Sequence, residues 1–293
     1  MIITSCGNSI NLAKSLAKKL HVKYVPLDVG EFPDGDMYMR FKAKSFKGKK
    51  LVIVQSFQPH PDMSLFDVIW AAETAKDLGA RKVILVAPYL AFMRQDKRFN
   101  AGEAISSKIM SKLLNKSIDK IITIDPHLHR YKSLKDIFTI SAVKLTANDL
   151  IGDFVKRKIK NPVIIGPDWE SYQWADKIAK QVGAESTCLA KTRFSSRRVT
   201  SKITRNVEIK EKNVVIIDDI ISTGHTIIEA AKKAHKKGAK SVTAIGVHGL
   251  FVEGMDKLKK HVDYIYTTNT IVHKTNKIDV LPLLLKELKS LKI

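Results

Sequence analysis

Val214 to Thr226 reads VVIIDDIISTGHT, a β-branched run that gives way to two carboxylates and then to a small hydroxyl-rich turn. Val214, Val215, Ile216 and Ile217 suit a strand covered on both faces in a parallel sheet, and the strand is expected to end at the acids. Ser222, Thr223, Gly224, His225 and Thr226 then lead into IIEAAKKAHKKG. There Ile227, Ala230, Ala231 and Ala234 recur at helical spacing, and Gly238 is placed to end the helix. A turn feeding a helix N-terminus offers backbone N–H groups and the positive end of the helix dipole, so a phosphate is stabilised there. Asp218 and Asp219 beside that phosphate could accept hydrogen bonds from vicinal sugar hydroxyls or bind Mg2+ through water. A plain capped strand-to-helix turn accounts poorly for them, because two adjacent acids after an apolar strand are costly without a partner.

The chain has 293 residues, long enough for two domains with their own cores, and 44% hydrophobic with 27% charged residues is globular composition. No apolar run reaches the roughly 20 residues that span a bilayer, and MIITSCGNSI lacks a basic region followed by an apolar signal segment, so a cytoplasmic protein is expected. Cys6 and Cys188 have no metal-ligand spacing and read as core residues. The net charge of +22 fits a nucleic-acid surface or a basic enzyme with anionic substrates. Its lysines are spread along helices such as AKSLAKKL and AKKAHKKGAK, without a nucleic-acid-binding motif, which favours the enzyme.

The two halves echo each other. MIITSCGNSINLAKSLAKKL aligns with VIIGPDWESYQWADKIAKQV, placing Ala13 opposite Ala175, and KKLVIVQSFQPHPD aligns with EKNVVIIDDIISTGHT in a segment that places Gly79 opposite Gly238. The offsets, 162 (175 − 13) and 159 (238 − 79), nearly agree, which argues for duplication of one α/β unit of about 140 residues. Strands expected near Ile2–Ser5, Leu51–Gln55, Val83–Ala87 and Ile121–Ile124 alternate with helices near Asn11–Leu20, Met63–Leu78 and Ala104–Leu114. The expected fold is therefore α/β, two duplicated domains each with a mainly parallel sheet flanked by helices. Pro33, Asp34 and Gly35 mark a tight turn in a projecting hairpin or flap of the first domain. The boundary is expected near Ser141–Leu145, giving domains 1–142 and 143–293. QSFQPHPD replaces the acid pair and turn in the first copy, so the sugar-phosphate site is expected in the second domain only.

Four further clusters carry chemistry. Arg94 and Gln95, in YLAFMRQDKRF, follow a strand and would occupy the crevice beyond its carboxyl end. In IITIDPHLH, Asp125 and His127 end another strand, and a neutral imidazole there could position a divalent cation. Asp168, in IIGPDWES, ends the first strand of the second copy and could complete that metal environment. Lys191 and Arg193, in CLAKTRFSSRRVTSK, stand two apart at a strand end before a basic, hydroxylic stretch that reads as a lid over phosphates. The chain has neither a GxxxxGK[ST] loop nor a GxGxxG element, so ATP must be held by other means.

The acid-pair stretch resembles the phosphoribosyl-diphosphate motif of the phosphoribosyltransferase-like proteins, with Ser222 where an acid is usual and His225 where a glycine is usual. With FPDGD, RQDKRF, DPHLH, GPD, KTR and TTNTI, in that order over essentially the whole chain, it is similar to the ribose-phosphate pyrophosphokinase family. The resemblance implies transfer of a pyrophosphoryl group from ATP to the anomeric hydroxyl of ribose 5-phosphate, with release of AMP and Mg2+ as cofactor. It implies a homo-oligomer in which Asp34, Gly35 and Asp36 reach the nucleotide of a neighbouring subunit, while Arg94 and Gln95 hold the nucleotide of their own. It gives His127 and Asp168 to the metal, Asp218, Asp219 and Ser222 to Thr226 to ribose 5-phosphate, and Lys191 and Arg193 to catalysis, Arg193 also touching the sugar phosphate. No nucleic-acid or membrane partner is implied. A nucleobase phosphoribosyltransferase and a non-catalytic regulatory relative are the alternatives. Lys191, Arg193, His127 and the acid pair argue against the second.

Overall fold

The computed structural model describes residues 1–188 and 207–291, which form two compact units. In the first, β1 (Ile2–Thr4), α1 (Ile10–Leu20) and β2 (Lys23–Tyr24) precede a hairpin of β3 (Leu27–Glu31) and β4 (Met37–Phe41). Then follow β5 (Lys50–Val54), α2 (Pro61–Asp77), β6 (Lys82–Ala87), α3 (Ser106–Ser117), β7 (Lys120–Ile124) and β8 (Ser141–Leu145). The second holds α4 (Asn148–Lys158), β9 (Pro162–Gly166), α5 (Trp169–Val182), β10 (Glu185–Cys188), β11 (Asn213–Ile221) and α6 (His225–Lys236). It continues through β12 (Ser241–Gly249), α7 (Asp256–Lys259), β13 (Tyr264–Thr268) and β14 (Asn276–Ile278), and the last helix, α8 (Leu281–Ser290), returns to the first unit.

The sheets run β2-β1-β5-β6-β7-β8 and β10-β9-β11-β12-β13-β14, every described pairing in them parallel. The strand order is the same in both units, as duplication requires. Details repeat as well. Asp119 accepts from Val83 N at 2.7 Å and returns its own N–H to Val83 O, and Asp263 does the same with Val242 in the second unit. Gly79 and Gly238, both at positive φ, accept through their carbonyls from Gly48 and Glu211. Such strands bury both faces: Leu51 to Val54 and Val214 to Ile217 are almost fully covered. The helices turn one stripe inward, Ala13, Leu16, Ala17 and Leu20 on α1 and Ile227, Ala230, Ala231 and Ala234 on α6. Cys6 and Cys188 are buried, and neither forms a disulfide among the described residues.

Two boundaries differ from the sequence expectation. The first unit extends to Thr146, because Ser141–Leu145 pairs with β7 residue for residue as the sixth strand of the first sheet. It also takes Val280–Ile293: Leu284 and Leu288 of α8 are fully buried, Lys50 Nζ donates to Leu291 O at 2.6 Å, and Lys120 pairs with Glu287 at 2.9 Å. Second, β11 does not stop at its acids. Its ladder with β9 ends at Ile216, but the longer β12 keeps pairing with it through Ile220 and Ile221. The acids therefore stand beyond the carboxyl end of β9, on a strand supported from one side only.

Candidate active site

In the second unit three acids converge. Gly166 ends β9 with its Cα tight against α5; an added Cβ would lie 2.6 Å from the Cα of Tyr172. That close approach lets Asp168 cap α5, its Oδ1 accepting from Ser171 N at 2.8 Å. The Ser171 hydroxyl lies 2.7 Å from Asp168 Oδ1 and 2.9 Å from Asp218 Oδ1, so one oxygen joins the carboxylates of two strand ends. Asp218 Oδ1 also accepts from Asp219 N at 3.0 Å, and both acids are buried. Burial pushes the Asp218 carboxyl well above the usual carboxylate range, and the negative charges of Asp219 and Asp168 push it further. Carboxylate and hydroxyl oxygens gathered in this way match the ligands that hard divalent cations take.

Directly after this cluster the chain turns into α6. Gly224 stands at φ 80°, ψ 2°, a left-handed conformation in which a side chain is strained. It is the N-cap of α6 and lends no side-chain oxygen to the helix, while its carbonyl accepts from Ile228 N at 2.9 Å. His225 and Thr226 are exposed at the first turn, and Ser222 and Thr223 are partly covered. The helix carries no acid in its first turn, so its dipole is left for an anion. Expected neighbours Asp168, Asp218, Asp219 and Ser222 to Thr226 are thus brought into one region of one unit. In the first unit, pairing of Leu51 with Val83, as Val214 pairs with Val242, puts Gln55 and Ser56 at the positions of the acid pair. Both are buried and neutral, Gln55 turned to Ser64 at 3.4 Å and Ser56 N to the Ser9 hydroxyl at 3.0 Å.

The other expected residues of the first unit sit in three places. Asp34, Gly35 and Asp36 form the exposed tip of the β3–β4 hairpin: Gly35 N donates to Phe32 O at 2.9 Å, and Phe32 N to Asp36 O at 2.8 Å. Arg94 is exposed after β6, and Gln95 is tied to α3, its side-chain oxygen accepting from the Ser106 hydroxyl and its carbonyl from the Ser107 hydroxyl. Sequence reasoning missed what fixes that segment. Buried Asp96 takes two hydrogen bonds from Arg130, at 3.0 and 3.2 Å, and its carbonyl accepts from the Tyr131 hydroxyl. Asp125 and His127 both adopt positive φ, 38° and 33°, which is uncommon for residues other than glycine. Lys191 and Arg193 lie outside the described residues. Ser171 was missed too, although its place three residues after Asp168 is the spacing of a helix cap.

Comparison with known proteins agrees with this layout. Residues 1–117 match the N-terminal domain of ribose phosphate pyrophosphokinase, and residues 133–285 match the phosphoribosyl transferase domain. A ribose-phosphate pyrophosphokinase of Saccharolobus solfataricus is 35% identical over 275 residues, 92% of this chain and 93% of that protein. The chain belongs to the ribose-phosphate pyrophosphokinase family. The Methanothermobacter thermautotrophicus ribose-phosphate pyrophosphokinase is 34% identical over 293 residues, 98% of this chain and 100% of that protein. The crystal structure of phosphoribosylpyrophosphate synthetase from Mycobacterium smegmatis has the same fold, with a TM-score of 0.86 over 99% of this chain and 98% of that one at 23% identity. A ribose-phosphate pyrophosphokinase is an enzyme, a transferase of nucleotide biosynthesis. Among the described residues no helix is long and apolar enough to cross a membrane.

Proposed function

We propose that this chain forms 5-phosphoribosyl 1-diphosphate and AMP from ATP and ribose 5-phosphate, with the sugar held in the second unit. Convergence of Asp168, Asp218 and Asp219 beside the Gly224 turn carries the reading, since it sets acceptors for sugar hydroxyls next to a helix N-terminus suited to a phosphate. In the reaction the anomeric hydroxyl oxygen attacks the β-phosphorus of ATP. The bond from that phosphorus to the bridging oxygen breaks, AMP leaves with the electron pair, and the hydroxyl proton passes to solvent. Negative charge builds on the phosphoryl oxygens, so catalysis needs cations and positioning more than a nucleophilic side chain.

The assignments follow from that demand. Asp218 and Asp219 orient the sugar, while backbone N–H groups and hydroxyls of Ser222, Thr223, Gly224, His225 and Thr226 hold its 5-phosphate. Asp168 in the second unit and His127 in the first are the proposed Mg2+ ligands. Bound Mg2+ supplies charge neutralisation at the phosphoryl oxygens. Lys191 and Arg193 supply the protein's own positive charge at the transferring group, and Arg193 also meets the sugar phosphate. Arg94 and Gln95 hold ATP, whose site is completed by Asp34, Gly35 and Asp36 of a neighbouring subunit in a homo-oligomer. Soluble substrates and a chain without an apolar segment of spanning length favour action in the cytoplasm.

Calorimetric titration tests the sugar site. Ribose 5-phosphate with Mg2+ is expected to bind once per chain, because neutral Gln55 and Ser56 replace the acid pair in the first unit. Asp218→Asn and Asp219→Asn are each expected to weaken it at least tenfold, the scale of a lost charge-assisted hydrogen bond, with a smaller effect on ATP. Two equivalent sites, or unchanged affinity in both variants, would refute the assignment.

A further inference from the structure

The amino edge of the second sheet gathers lysines that lie far apart in the chain. Asn213 of β11 pairs with Pro162 of β9 on one side and with Ser241 of β12 on the other, so these three strands start level. Lys160, Lys212 and Lys240 stand just ahead of them. Their backbones are tied in a row: Asn213 Nδ2 donates to Lys160 O at 2.6 Å, and Lys240 N donates to Lys212 O at 2.8 Å. Adjacent strands lie about 4.8 Å apart, so the row crosses about 10 Å of the edge. The last turn of α4, which leads into β9, adds Lys156, Arg157 and Lys158. Lys156, Lys160 and Lys212 share a cleft of about 530 Å3 with one acid, Glu185.

A helix C-terminus favours cations, which accounts for the three on α4 but not for Lys212, which enters β11 from a turn. Other lysines of the unit are paired: Lys180 with Asp176 at 2.6 Å, Lys232 with Glu229 at 3.0 Å and Lys257 with Glu253 at 2.9 Å. Lys156, Lys158, Lys160, Lys212 and Lys240 form no ion pair among the described residues. An aromatic platform stands beside them. Tyr264, 54% exposed at the start of β13, lies parallel to Tyr266, with ring centroids 6.2 Å apart and 7° between planes. Phe154 of α4 braces Tyr266 edge to face at 5.0 Å. Arg157 and Lys158, three and four residues after Phe154, stand one turn beyond it on the same side of α4.

We propose that this edge binds single-stranded nucleic acid, with phosphates along the lysine row and a base on Tyr264. A row of unpaired lysines contacts a phosphodiester backbone, and an exposed, braced tyrosine offers any base a stacking face. A duplex keeps its base faces inside and leaves Tyr264 without a partner, and an inorganic polyanion has no base to stack. Asp168, Asp218 and Asp219 lie at the other end of these strands, so the surface is separate from the proposed sugar site and does not depend on it.

Fluorescence anisotropy of the full chain with a labelled, unstructured RNA of about 20 nucleotides, titrated at a series of salt concentrations, tests it. Wild type is expected to bind, with an affinity that falls steeply with salt. The triple variant Lys160→Gln, Lys212→Gln, Lys240→Gln is expected to lower the slope of log Kd against log salt by about 2, three phosphate contacts at about 0.7 each. Tyr264→Ala should raise Kd about fivefold or more at unchanged slope, the scale of one lost base stack, whereas Tyr264→Phe, which keeps a ring, should bind as wild type does. AMP formation from ATP and ribose 5-phosphate should be the same in all of these proteins. A wild type without affinity for the RNA at about 50 mM salt would overturn the proposal. Binding that keeps its full salt slope in the triple variant would place the RNA elsewhere on the chain and overturn it as well. Binding that is indifferent to Tyr264→Ala, and displaced by inorganic polyphosphate as readily as by unlabelled RNA, would overturn the nucleic-acid assignment in favour of a general polyanion surface.

Discussion

Asp67→Asn is expected to stabilise the protein, and to do so more as pH rises. Asp67 lies on the inner side of α2, is 8% exposed, and has an Oδ1 without a hydrogen-bond partner among the described residues. Burial raises its carboxyl from 3.8 to about 6, and the Cys6 thiol is pushed up by its own burial and by the Asp67 charge. The folded-state value lies above the unfolded one. The neutral acid therefore favours folding fully below about pH 3.8, and that contribution is lost as pH rises through about 6. A displacement of about two pH units at about 1.4 kcal/mol each makes the ionised carboxylate cost about 3 kcal/mol at pH 8, against about 0.5 kcal/mol at pH 4. Asparagine keeps the shape without the charge, so its advantage should grow by about 2 kcal/mol over that interval. For a unit of this size that is about 4–8 °C in thermal midpoint. Differential scanning calorimetry of wild type and variant at pH 4 and pH 8, at one protein concentration, reads it directly. An advantage that is flat with pH, or a variant less stable at pH 8, would refute the reasoning. Asp67 is no part of the proposed sugar, nucleotide or metal sites, so kcat should be unchanged.

Other expectations concern the reaction itself. Lys191→Ala should lower kcat by on the order of 10²-fold or more with much smaller changes in either KM, because its charge is needed most in the transition state; a raised KM with normal kcat would make it a binding residue instead. Oligomers mixed from Asp34→Ala/Asp36→Ala chains and Lys191→Ala chains should regain activity through hybrid sites. Verified mixed oligomers that stay at the background of the separate variants would remove the hairpin tip from the neighbour's nucleotide site.

Much of this architecture is legible in the chain because local chemistry and tertiary role coincide. Val214 to Ile217 are apolar without a break since both faces of β11 are covered, and Gly79 and Gly238 recur because the same left-handed turn closes the same helix-to-strand joint twice. Phe32 to Asp36 signals a hairpin through its Pro-Asp-Gly turn. The boundary was harder to see. SAVKL is as short as any strand opening a new domain, and only its pairing with β7 assigns it to the first sheet. LPLLLKEL is an amphipathic helix whose destination no local signal gives. β11 runs past the acids at which its apolar run stops, because Ile220 and Ile221 still have partners on the longer β12, which no local signal gives. At the site, residue types were readable and their linkage was not. Ser171 reaches Asp218 across 47 positions of sequence, and Asp96 holds Arg130 across 34, contacts that only the fold creates.

The central claim, that this chain transfers pyrophosphate to ribose 5-phosphate, is tested most directly by nucleotide products. The purified protein is incubated with ATP, ribose 5-phosphate and Mg2+ in the absence of any nucleobase. The account predicts AMP in equimolar yield with 5-phosphoribosyl 1-diphosphate, and none when ribose 5-phosphate is omitted. ADP in place of AMP, or no turnover until a nucleobase and 5-phosphoribosyl 1-diphosphate are supplied, would contradict it.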